Sequence, residues 1–343
     1  MQYRKLGRTG IEVSTLCLGT MMFGAWGNQD EAECHRILDS ALDAGVTFID
    51  TADVYAFGES EEILGRGLKG RRDQVILASK ANNPMPGVKA DRNRGGNSRV
   101  WIMRAVEDSL RRLGTDYLDL YQIHRPDPST DIEETLGALT DLVHQGKVRA
   151  IGCSTFPAEL LVEAQWASAR HGLERFVTEQ PSYSILARHA EAAVLPTCTR
   201  YGMGVLVWSP LNGGWLTGKY RAADAPADSR ASTNGDHFDF KDADVRSRKL
   251  GLVAELSQIA ADEGISLIHL ALAFVLAHPA VTSAIMGPRT PEQLLGQLGA
   301  SDVTLSSSAL DRIDALVAPG TDVNPDNVGY VPPALTDPTL RRR

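Results

Sequence analysis

The sequence predicts a (β/α)8 TIM barrel, and three observations support this fold class. Eight short apolar runs, of the kind that form buried parallel strands, alternate with segments of helical periodicity. No shift in composition and no low-complexity linker interrupts the 343 residues. Three successive runs stop on Asp50, Lys80 and His124, as barrel strands do at the face that carries an active site. A doubly wound open sheet is the alternative arrangement of the same units.

The first expected element is a β-hairpin, with strands at residues 3–5 and 11–14 and a turn at residues 7–10. The barrel strands are expected at residues 16–18, 47–50, 75–80, 118–124, 148–154, 176–180, 204–209 and 283–287. Two of the helices between them start with variants of the capping box, Asp30 with Glu33 and Asp131 with Glu134. We expect one domain over residues 1–343, with the barrel core at about residues 15–300 and a C-terminal helix and tail at residues 301–343.

Two connections are longer than a barrel needs, residues 81–97 and residues 212–242. Long loops after strands are usually functional, so we expect residues 212–242 to act as a lid over the site. The tail after Val317 lacks periodicity and contains Tyr330, Pro332 and Pro333, which predicts an extended segment packed at the same mouth of the barrel.

Composition excludes several classes of protein. The net charge of -8 argues against a nucleic-acid partner, and we read the few basic clusters as solvated ends. No apolar stretch follows the basic residues of the N-terminus, so we expect a cytoplasmic protein and no secretory signal. Leu267 to Met286 is uncharged, but His278 and Pro279 interrupt it, which favours a buried helix and strand over a membrane span. The four cysteines lack metal or disulfide spacing, which indicates reduced core thiols.

One glycine motif is rejected as a dinucleotide-binding turn. Residues 65–70 match the pattern G-x-G-x-x-G, but they follow a helical stretch instead of a strand, and no helix opens after them. We interpret them as the end of a helix.

A set of motifs along nearly the whole chain points to one family. They are FIDTADVY (residues 48–55), SK (79–80), YQIH (121–124), GKVRAIG (146–152), EQ with Tyr183 (179–183), SPL through GKY (209–220) and IMGPR (285–289). In this order and spacing they resemble the aldo-keto reductases, above all the bacterial branches that are similar to potassium-channel β subunits. The resemblance implies NAD(P)H-dependent reduction of a small-molecule carbonyl compound to an alcohol, and the reverse oxidation.

The chemistry of carbonyl reduction agrees with the polar residues at the strand ends. A free tyrosine, with a pKa of about 10, is a poor acid near neutrality, so its pKa is expected to fall beside an ammonium group. We therefore assign Tyr55 as general acid, Lys80 as its charged partner, Asp50 as the group that holds Lys80, and His124 as the donor that polarises the carbonyl oxygen. Taken singly, each of these residues also has an ordinary structural explanation, such as a loop cap or a satisfied histidine.

The resemblance further implies the cofactor contacts. Ser154 and Gln180 would bind the nicotinamide amide, Tyr183 would stack on its ring, and glycine-rich turns would let backbone N–H groups approach the pyrophosphate. Thr290 and Pro291 read as the start of a helix, and Arg289 beside it would bind an adenosine 2'-phosphate, which favours NADPH/NADP+ with NADH weaker. The complete expected set is Gly19, Thr20, Asp50, Ser154, Gln180, Tyr183, Ser209, Leu211, Gly213, Gly218, Lys219, Gly287, Arg289, Gln293 and Gln297. Three positions depart from the family pattern, namely Thr155, Gly296 and Gln297, where Asn, Glu and Asn are common.

The substrate itself is not readable from the sequence. The candidates for its pocket are Phe23, Trp26, Tyr55, Asn82, His124 and Arg125. Two other functions remain open: a slow-turnover, cofactor-binding redox sensor or regulatory subunit, and a metal-dependent hydrolase, against which the absence of an H-x-H pair in residues 16–20 argues. We expect no metal and no membrane partner, and either a monomer or a homo-oligomer.

Overall fold

Eight parallel strands close into a barrel in this computed structural model, which describes residues 1–86, 91–220, 240–324 and 329–340. Each barrel strand pairs with its neighbour in sequence, and the last pairs with the first, with Ala284 opposite Leu16. The predicted barrel is therefore confirmed, and the open-sheet alternative is wrong. The strands are β1 (Tyr3–Lys5) and β2 (Glu12–Ser14) of the hairpin, and β3 (Leu16–Gly19), β4 (Phe48–Asp50), β5 (Ile76–Ala81), β6 (Leu118–Ile123), β7 (Val148–Ser154), β8 (Thr178–Gln180), β9 (Gly204–Val207) and β10 (Val281–Met286) of the barrel.

Helices connect the strands and surround the barrel. They are α1 (Glu31–Asp43), α2 (Glu59–Gly67), α3 (Arg99–Leu113), α4 (Ile132–His144), α5 (Ala158–His171), α6 (Val194–Tyr201), α7 (Ala243–Asp262), α8 (Leu267–Ala277), α9 (Pro291–Leu298), α10 (Ser307–Leu316) and α11 (Pro333–Thr336). Their apolar faces pack on the outer side of the strands in one large buried cluster. This arrangement leaves the strand ends and the loops between them to form the functional faces.

The two predicted capping boxes have different outcomes. The Asp30 side chain accepts a hydrogen bond from the Glu33 amide, as predicted, and so caps α1. Asp131 makes no such bond at the start of α4, and the prediction there is wrong. The Glu134 carboxylate instead accepts from the Arg99 amide at the start of α3, 2.8 Å away, so a tertiary contact replaces the local cap.

The N-terminal hairpin closes one end of the barrel. Leu6 and Val13 pack with inward-facing strand residues such as Phe48 and Leu120 in a separate buried cluster. Gly7 has φ of +58°, and a Cβ atom there would lie 2.7 Å from the Gly204 amide nitrogen, so only glycine fits under β9. The hairpin thus fills the amino-terminal end of the barrel and leaves the carboxyl-terminal end for a site.

The rejected glycine motif lies where helix α2 ends. The helix stops at Gly67, and the turns that follow lead to a short 3-10 segment at Arg72–Gln74. A Cβ atom at Gly65 would lie 2.6 Å from the Arg112 carbonyl oxygen, so this glycine allows α2 and α3 to pack closely. The interpretation as a helix end is confirmed.

The uncharged stretch from Leu267 is helix α8 followed by strand β10, as predicted. Among the described helices none alone is long and apolar enough to span a membrane; α7 and α8 pass together by length and composition but are bent by 87°. All four cysteines are buried and unpaired, in agreement with the prediction of core thiols.

The C-terminal segment begins as an extended strap. The Val323 amide donates to the Leu186 carbonyl, the Arg188 amide donates to the Thr321 carbonyl, and the Arg188 guanidinium binds Asp314 at 2.7 Å. The tail is not extended throughout, because the short exposed helix α11 starts at Pro333, where proline suits the first helical turn.

Candidate active site

A large cavity of about 1240 Å3 opens at the carboxyl-terminal ends of the strands. All eight barrel strands or the loops that follow them contribute to its lining, from Gly19 at the end of β3 to Gly287 after β10. Its volume exceeds the range usual for drug-sized ligands, so it has room for a dinucleotide together with a small substrate.

At the floor of this cavity the four predicted chemical residues come together. The Lys80 ammonium, completely buried, forms an ion pair with Asp50 Oδ1 and donates to the Thr51 carbonyl at 2.8 Å. It also lies 3.3 Å from the hydroxyl oxygen of Tyr55. The rings of Tyr55 and His124 meet edge to face, with 5.8 Å between their centroids. Asp50, Lys80, Tyr55 and His124 therefore form one continuous group, as the strand-end pattern predicted.

The second carboxylate oxygen of Asp50 binds two buried amides. Gln122 donates to Oδ2 at 3.2 Å and Gln180 donates at 3.0 Å. Because both oxygens of Asp50 accept hydrogen bonds, its carboxylate is held in one orientation towards Lys80. Gln122, which the sequence analysis missed, is thus a positioning residue for the chemical group.

The direction of the Tyr55 pKa differs from the sequence-based expectation. Burial raises the pKa of this phenol above its usual value, and the neighbouring Lys80 only partly opposes the rise. Burial would lower the pKa of Lys80, but Asp50 and Tyr55 raise it instead, so the ammonium stays protonated. The expected fall of the Tyr55 pKa is wrong, and the phenol remains a proton donor throughout the neutral range.

His124 is neutral in this environment. Burial, with contributions from Lys80 and Arg125, holds the pKa of its imidazole well below the usual value of 6.5. The Asn83 amide nitrogen lies 3.0 Å from Nδ1. Because an amide NH2 group can only donate, Nδ1 accepts and the ring proton is on Nε2.

The opposite end of the cavity is rich in cationic side chains. Lys219, Lys249 and Arg289 all line it, and Lys249 donates to Asn212 Oδ1 at 2.7 Å. A Cβ atom at Gly214 would lie 3.0 Å from the Lys219 ammonium, so the glycine allows this cation to lie against the turn. The arrangement has the charge that a pyrophosphate and a further phosphate require.

In the glycine-rich turn after Ser209, the backbone N–H groups are not available to a pyrophosphate as predicted. The Gly213 amide donates to Ser209 Oγ at 3.1 Å and the Gly214 amide donates to the Leu211 carbonyl, so both N–H groups are used within the turn. Side chains, rather than these backbone groups, therefore carry the positive charge of this end.

The predicted helix start beside Arg289 is confirmed, with a modified cap. Thr290 caps helix α9 by accepting from the Gln293 amide, and the Gln293 side chain accepts from the Arg289 amide at 2.9 Å. Gln293 thereby fixes the backbone at Arg289, where the cavity ends.

Most of the other predicted contact residues also line the cavity. They are Gly19, Trp26, Asp50, Tyr55, His124, Arg125, Ser154, Gln180, Ser209, Leu211, Gly213, Lys219, Gly287, Arg289, Gln293 and Gln297. Asn212, Lys241 and Asp242 from the two described ends of the predicted lid are there as well, together with Asn324, Gly329 and Val331 of the tail. Residues 221–239, which make up most of that lid, lie outside the described residues.

Besides Lys80, which is completely buried beneath the cavity, five predicted residues are not part of the lining. Tyr183 is buried, donates its hydroxyl to Glu191 and packs on Phe274, so it cannot stack on a ligand ring. Trp208, directly before Ser209, is an aromatic residue that does line the cavity.

Three of the other four corrections concern the direction of side chains, and the fourth concerns a glycine. Phe23 is completely buried, and Met21 and Met22 line the cavity in its place. Asn82 bonds to Asn97, and its neighbour Asn83 faces the site. Thr20 is turned inward to Ser60, and Gly218 lies between the lining residues Thr217 and Lys219.

Backbone strain is concentrated at this face. Among the described residues, six that are not glycine have positive φ, and each follows a barrel strand at its carboxyl end. They are Ala56, Phe57, Asn82, Thr155, Ser209 and Asn212. Such conformations cost of order 1–3 kcal/mol each and occur preferentially at functional sites.

Comparison with known proteins agrees with this geometry. The model of the aldo/keto reductase family matches residues 15–318. The chain belongs to the aldo/keto reductase family. An oxidoreductase of Bacillus subtilis named YrpG, described as uncharacterized, is 39% identical over 333 residues, which cover 93% of this chain and 97% of that protein.

Two further relatives carry different names. The aldo-keto reductase YhdN of Bacillus subtilis is 37% identical over 328 residues, covering 92% of this chain and 94% of that protein. A probable voltage-gated potassium channel subunit beta of Oryza sativa is 37% identical over 327 residues, covering 92% and 97%. Membership of the family supports oxidoreductase activity for this chain.

A metal-dependent reaction would need a group of ligands at this face. Within the described ranges, no three His, Cys, Asp or Glu side chains are grouped to hold a metal ion. Asp50 and His124, whose side chains could ligate a metal ion, bind Lys80 and Asn83 instead.

Proposed function

We propose that this protein reduces an aldehyde or ketone to the alcohol with NADPH, reversibly, and that Tyr55 is the general acid. The observation that carries the proposal is the buried chain of contacts from Asp50 through Lys80 to Tyr55, beside a neutral His124 at the floor of the cavity. When bound, the nicotinamide cofactor supplies the hydride for the carbonyl carbon.

The residues of the chain have separate roles in this reaction. Tyr55 donates its hydroxyl proton to the carbonyl oxygen, and the Lys80 ammonium at 3.3 Å stabilises the phenolate that this leaves. Asp50 keeps Lys80 protonated and in place, while the Nε2–H of His124 donates to the carbonyl oxygen and orients the substrate. In alcohol oxidation the same groups act in reverse.

The residues present fit a nicotinamide dinucleotide. Gln180 donates its NH2 group to Asp50 and Gln122, so it would offer its carbonyl oxygen, with Ser154, to the carboxamide. Trp208 would supply the flat ring beside the nicotinamide, and Lys219 would bind the pyrophosphate. Arg289 would bind the adenosine 2'-phosphate, which is the basis for preferring NADPH over NADH.

Replacement of Arg289 by alanine is expected to weaken NADPH binding at least about 10-fold and NADH binding about 2-fold or less, because only NADPH carries the 2'-phosphate. Fluorescence titration of the purified variant with both cofactors measures this. Lys219→Ala is the matched control, since a pyrophosphate contact is common to both cofactors and both should weaken equally. An equal loss for the two cofactors in Arg289→Ala would show that Arg289 does not read the phosphate.

The pH dependence of reduction is expected to lack a break near pH 6.5. His124 is neutral above its lowered pKa, and Tyr55 stays protonated until the pH approaches its raised pKa. The value of kcat/KM should therefore be nearly constant between about pH 6 and 9 and fall only above about pH 10, as the acid form of Tyr55 is lost. A steady-state profile with a neutral aldehyde measures this, and a break near 6.5 that disappears in His124→Gln would contradict the neutral state of His124.

A second candidate function is that of a slow-turnover redox sensor or regulatory subunit. It is favoured by the full-length similarity to proteins named as potassium channel β subunits. The two functions differ in turnover: repeated reduction of small aldehydes supports the enzyme, whereas retention of bound cofactor with negligible turnover supports the regulatory subunit.

A further inference from the structure

Arg125 brings a full positive charge to the chemical end of the cavity and, among the described residues, has no carboxylate partner. It follows His124 directly, is partly buried and lines the cavity together with Tyr55 and Trp208. In the proposed reaction its charge contributes only indirectly, by lowering the pKa of His124. Its guanidinium therefore needs a separate explanation.

The contacts of Arg125 are with neutral groups. Nη1 donates to Thr155 Oγ1 at 2.9 Å and to the His124 carbonyl at 3.4 Å, and the guanidinium carbon lies 5.8 Å from the centroid of a Trp208 ring. Nε and Nη2 find no acceptor among the described residues. These contacts fix one edge of the planar group and leave the other edge for a ligand.

Three other half-buried arginines of this protein have carboxylate partners, whereas Arg4 has two backbone carbonyl acceptors in their place. Arg72 binds Asp119 at 2.7 Å, Arg112 binds Glu61 at 2.7 Å, and Arg188 binds Glu191 at 2.9 Å. Within the described part of the chain, no carboxylate lies within the 4.0 Å of an ion pair with Arg125. A partly desolvated charge without a partner is costly, so its presence in a binding cavity indicates a partner that arrives with the ligand.

The carboxyl group that acts on Arg125 electrostatically, Glu179, does not neutralise it. Burial raises the pKa of Glu179 to about 8, so this side chain is mostly protonated at neutral pH. Burial also lowers the pKa of Arg125 itself, the direction expected of a guanidinium that lacks a counterion.

Building on the proposed reductase function, we propose that Arg125 forms a subsite for a carboxylate group of the carbonyl substrate, so that the protein prefers oxo acids to neutral aldehydes and ketones. The planar fork of Nε and Nη2 matches the two oxygens of a carboxylate. Since Arg125 is adjacent to His124, the subsite lies next to the position of the reacting carbonyl.

The test compares acids with their methyl esters, which are alike in shape and differ in charge. The substrate pairs are 3- and 4-carboxybenzaldehyde with the corresponding methyl formylbenzoates, and 4-oxobutanoate with its methyl ester. For at least one pair we expect the wild-type kcat/KM to be at least about 10-fold higher for the acid, the effect of one charge-assisted contact. A ratio near one for every pair overturns the proposal.

Three variants separate the subsite from general effects of charge. Arg125→Gln should lower the acid-to-ester ratio of kcat/KM by about 10- to 100-fold, and Arg125→Lys should retain part of it because a point charge replaces the fork. Arg111→Gln removes an exposed arginine on α3 and should leave the ratio at the wild-type value. A ratio in Arg125→Gln equal to that of the wild type overturns the proposal.

A binding experiment makes the outcome independent of turnover. Benzoate and benzamide can be titrated against wild type, Arg125→Gln and Arg125→Lys by the fluorescence of Trp26 and Trp208, which line the cavity. Benzoate should bind more tightly than benzamide to the wild type, and the difference should diminish in Arg125→Gln. Equal binding of the two compounds to the wild type overturns the subsite. If no aldehyde or ester is reduced with either cofactor but benzoate is preferred, the reductase proposal fails while the anion site stands.

Discussion

Replacement of Tyr55 by phenylalanine is expected to abolish carbonyl reduction and to leave NADPH binding almost intact. The substitution removes the hydroxyl that lies 3.3 Å from Lys80 but keeps the ring at the cavity floor. Loss of general acid catalysis costs about 10²- to 10⁴-fold in rate. Steady-state reduction of a neutral aldehyde, together with fluorescence titration of NADPH, measures both parts of the expectation.

Tyr183→Phe provides the matched control for this substitution. It removes a phenol of the same kind that donates to Glu191 behind the cavity wall. Activity should stay close to that of the wild type, with a loss of stability of about 1 kcal/mol from the missing hydrogen bond. Near wild-type turnover in Tyr55→Phe would remove Tyr55 from the mechanism.

Replacement of Lys80 by methionine is expected to eliminate activity and also to destabilise the fold. The variant leaves Asp50, only 2% exposed, without its cationic partner. Breaking a buried ion pair in this way typically costs about 3–5 kcal/mol. Urea denaturation gives the stability, and turnover of an aldehyde gives the activity.

The double variant Asp50→Asn with Lys80→Met separates the two effects. It removes both charges, so most of the stability should return while reduction remains absent. If the Lys80→Met variant alone were as stable as the wild type, the ion pair with Asp50 would not contribute to the stability of the folded state.

The sequence was sufficient to predict the barrel and the position of the central chemical group, because both follow from where the buried strands end. Asp50, Lys80 and His124 close or follow buried apolar runs, and parallel strands in a closed barrel bring their carboxyl ends to one face. The position of each residue along its strand could therefore be predicted without knowledge of the side-chain packing.

Predictions failed where a contact with the cavity depends on the direction of a side chain and not on its position along the sequence. In the loops after strands no period of two tells which side chain faces inward, and so the sequence predicts Asn82 where Asn83 lines the cavity, and Phe23 where Met22 does. It likewise predicts Tyr183 where Trp208 lines the cavity. The pKa of Tyr55 was predicted in the wrong direction because the balance between burial and the Lys80 charge depends on depth and distance.

Closure of the barrel by β10 on β3 has a consequence for synthesis. Leu16 pairs with Ala284, so β3 leaves the ribosome long before its partner has been translated. Until then β3 has an open edge on that side, and the most recently added strand has a second one, the kind of surface on which chains aggregate. A nascent chain of this protein therefore keeps two open sheet edges until its last strand is made, and only the pairing of β10 with β3 and β9 removes both.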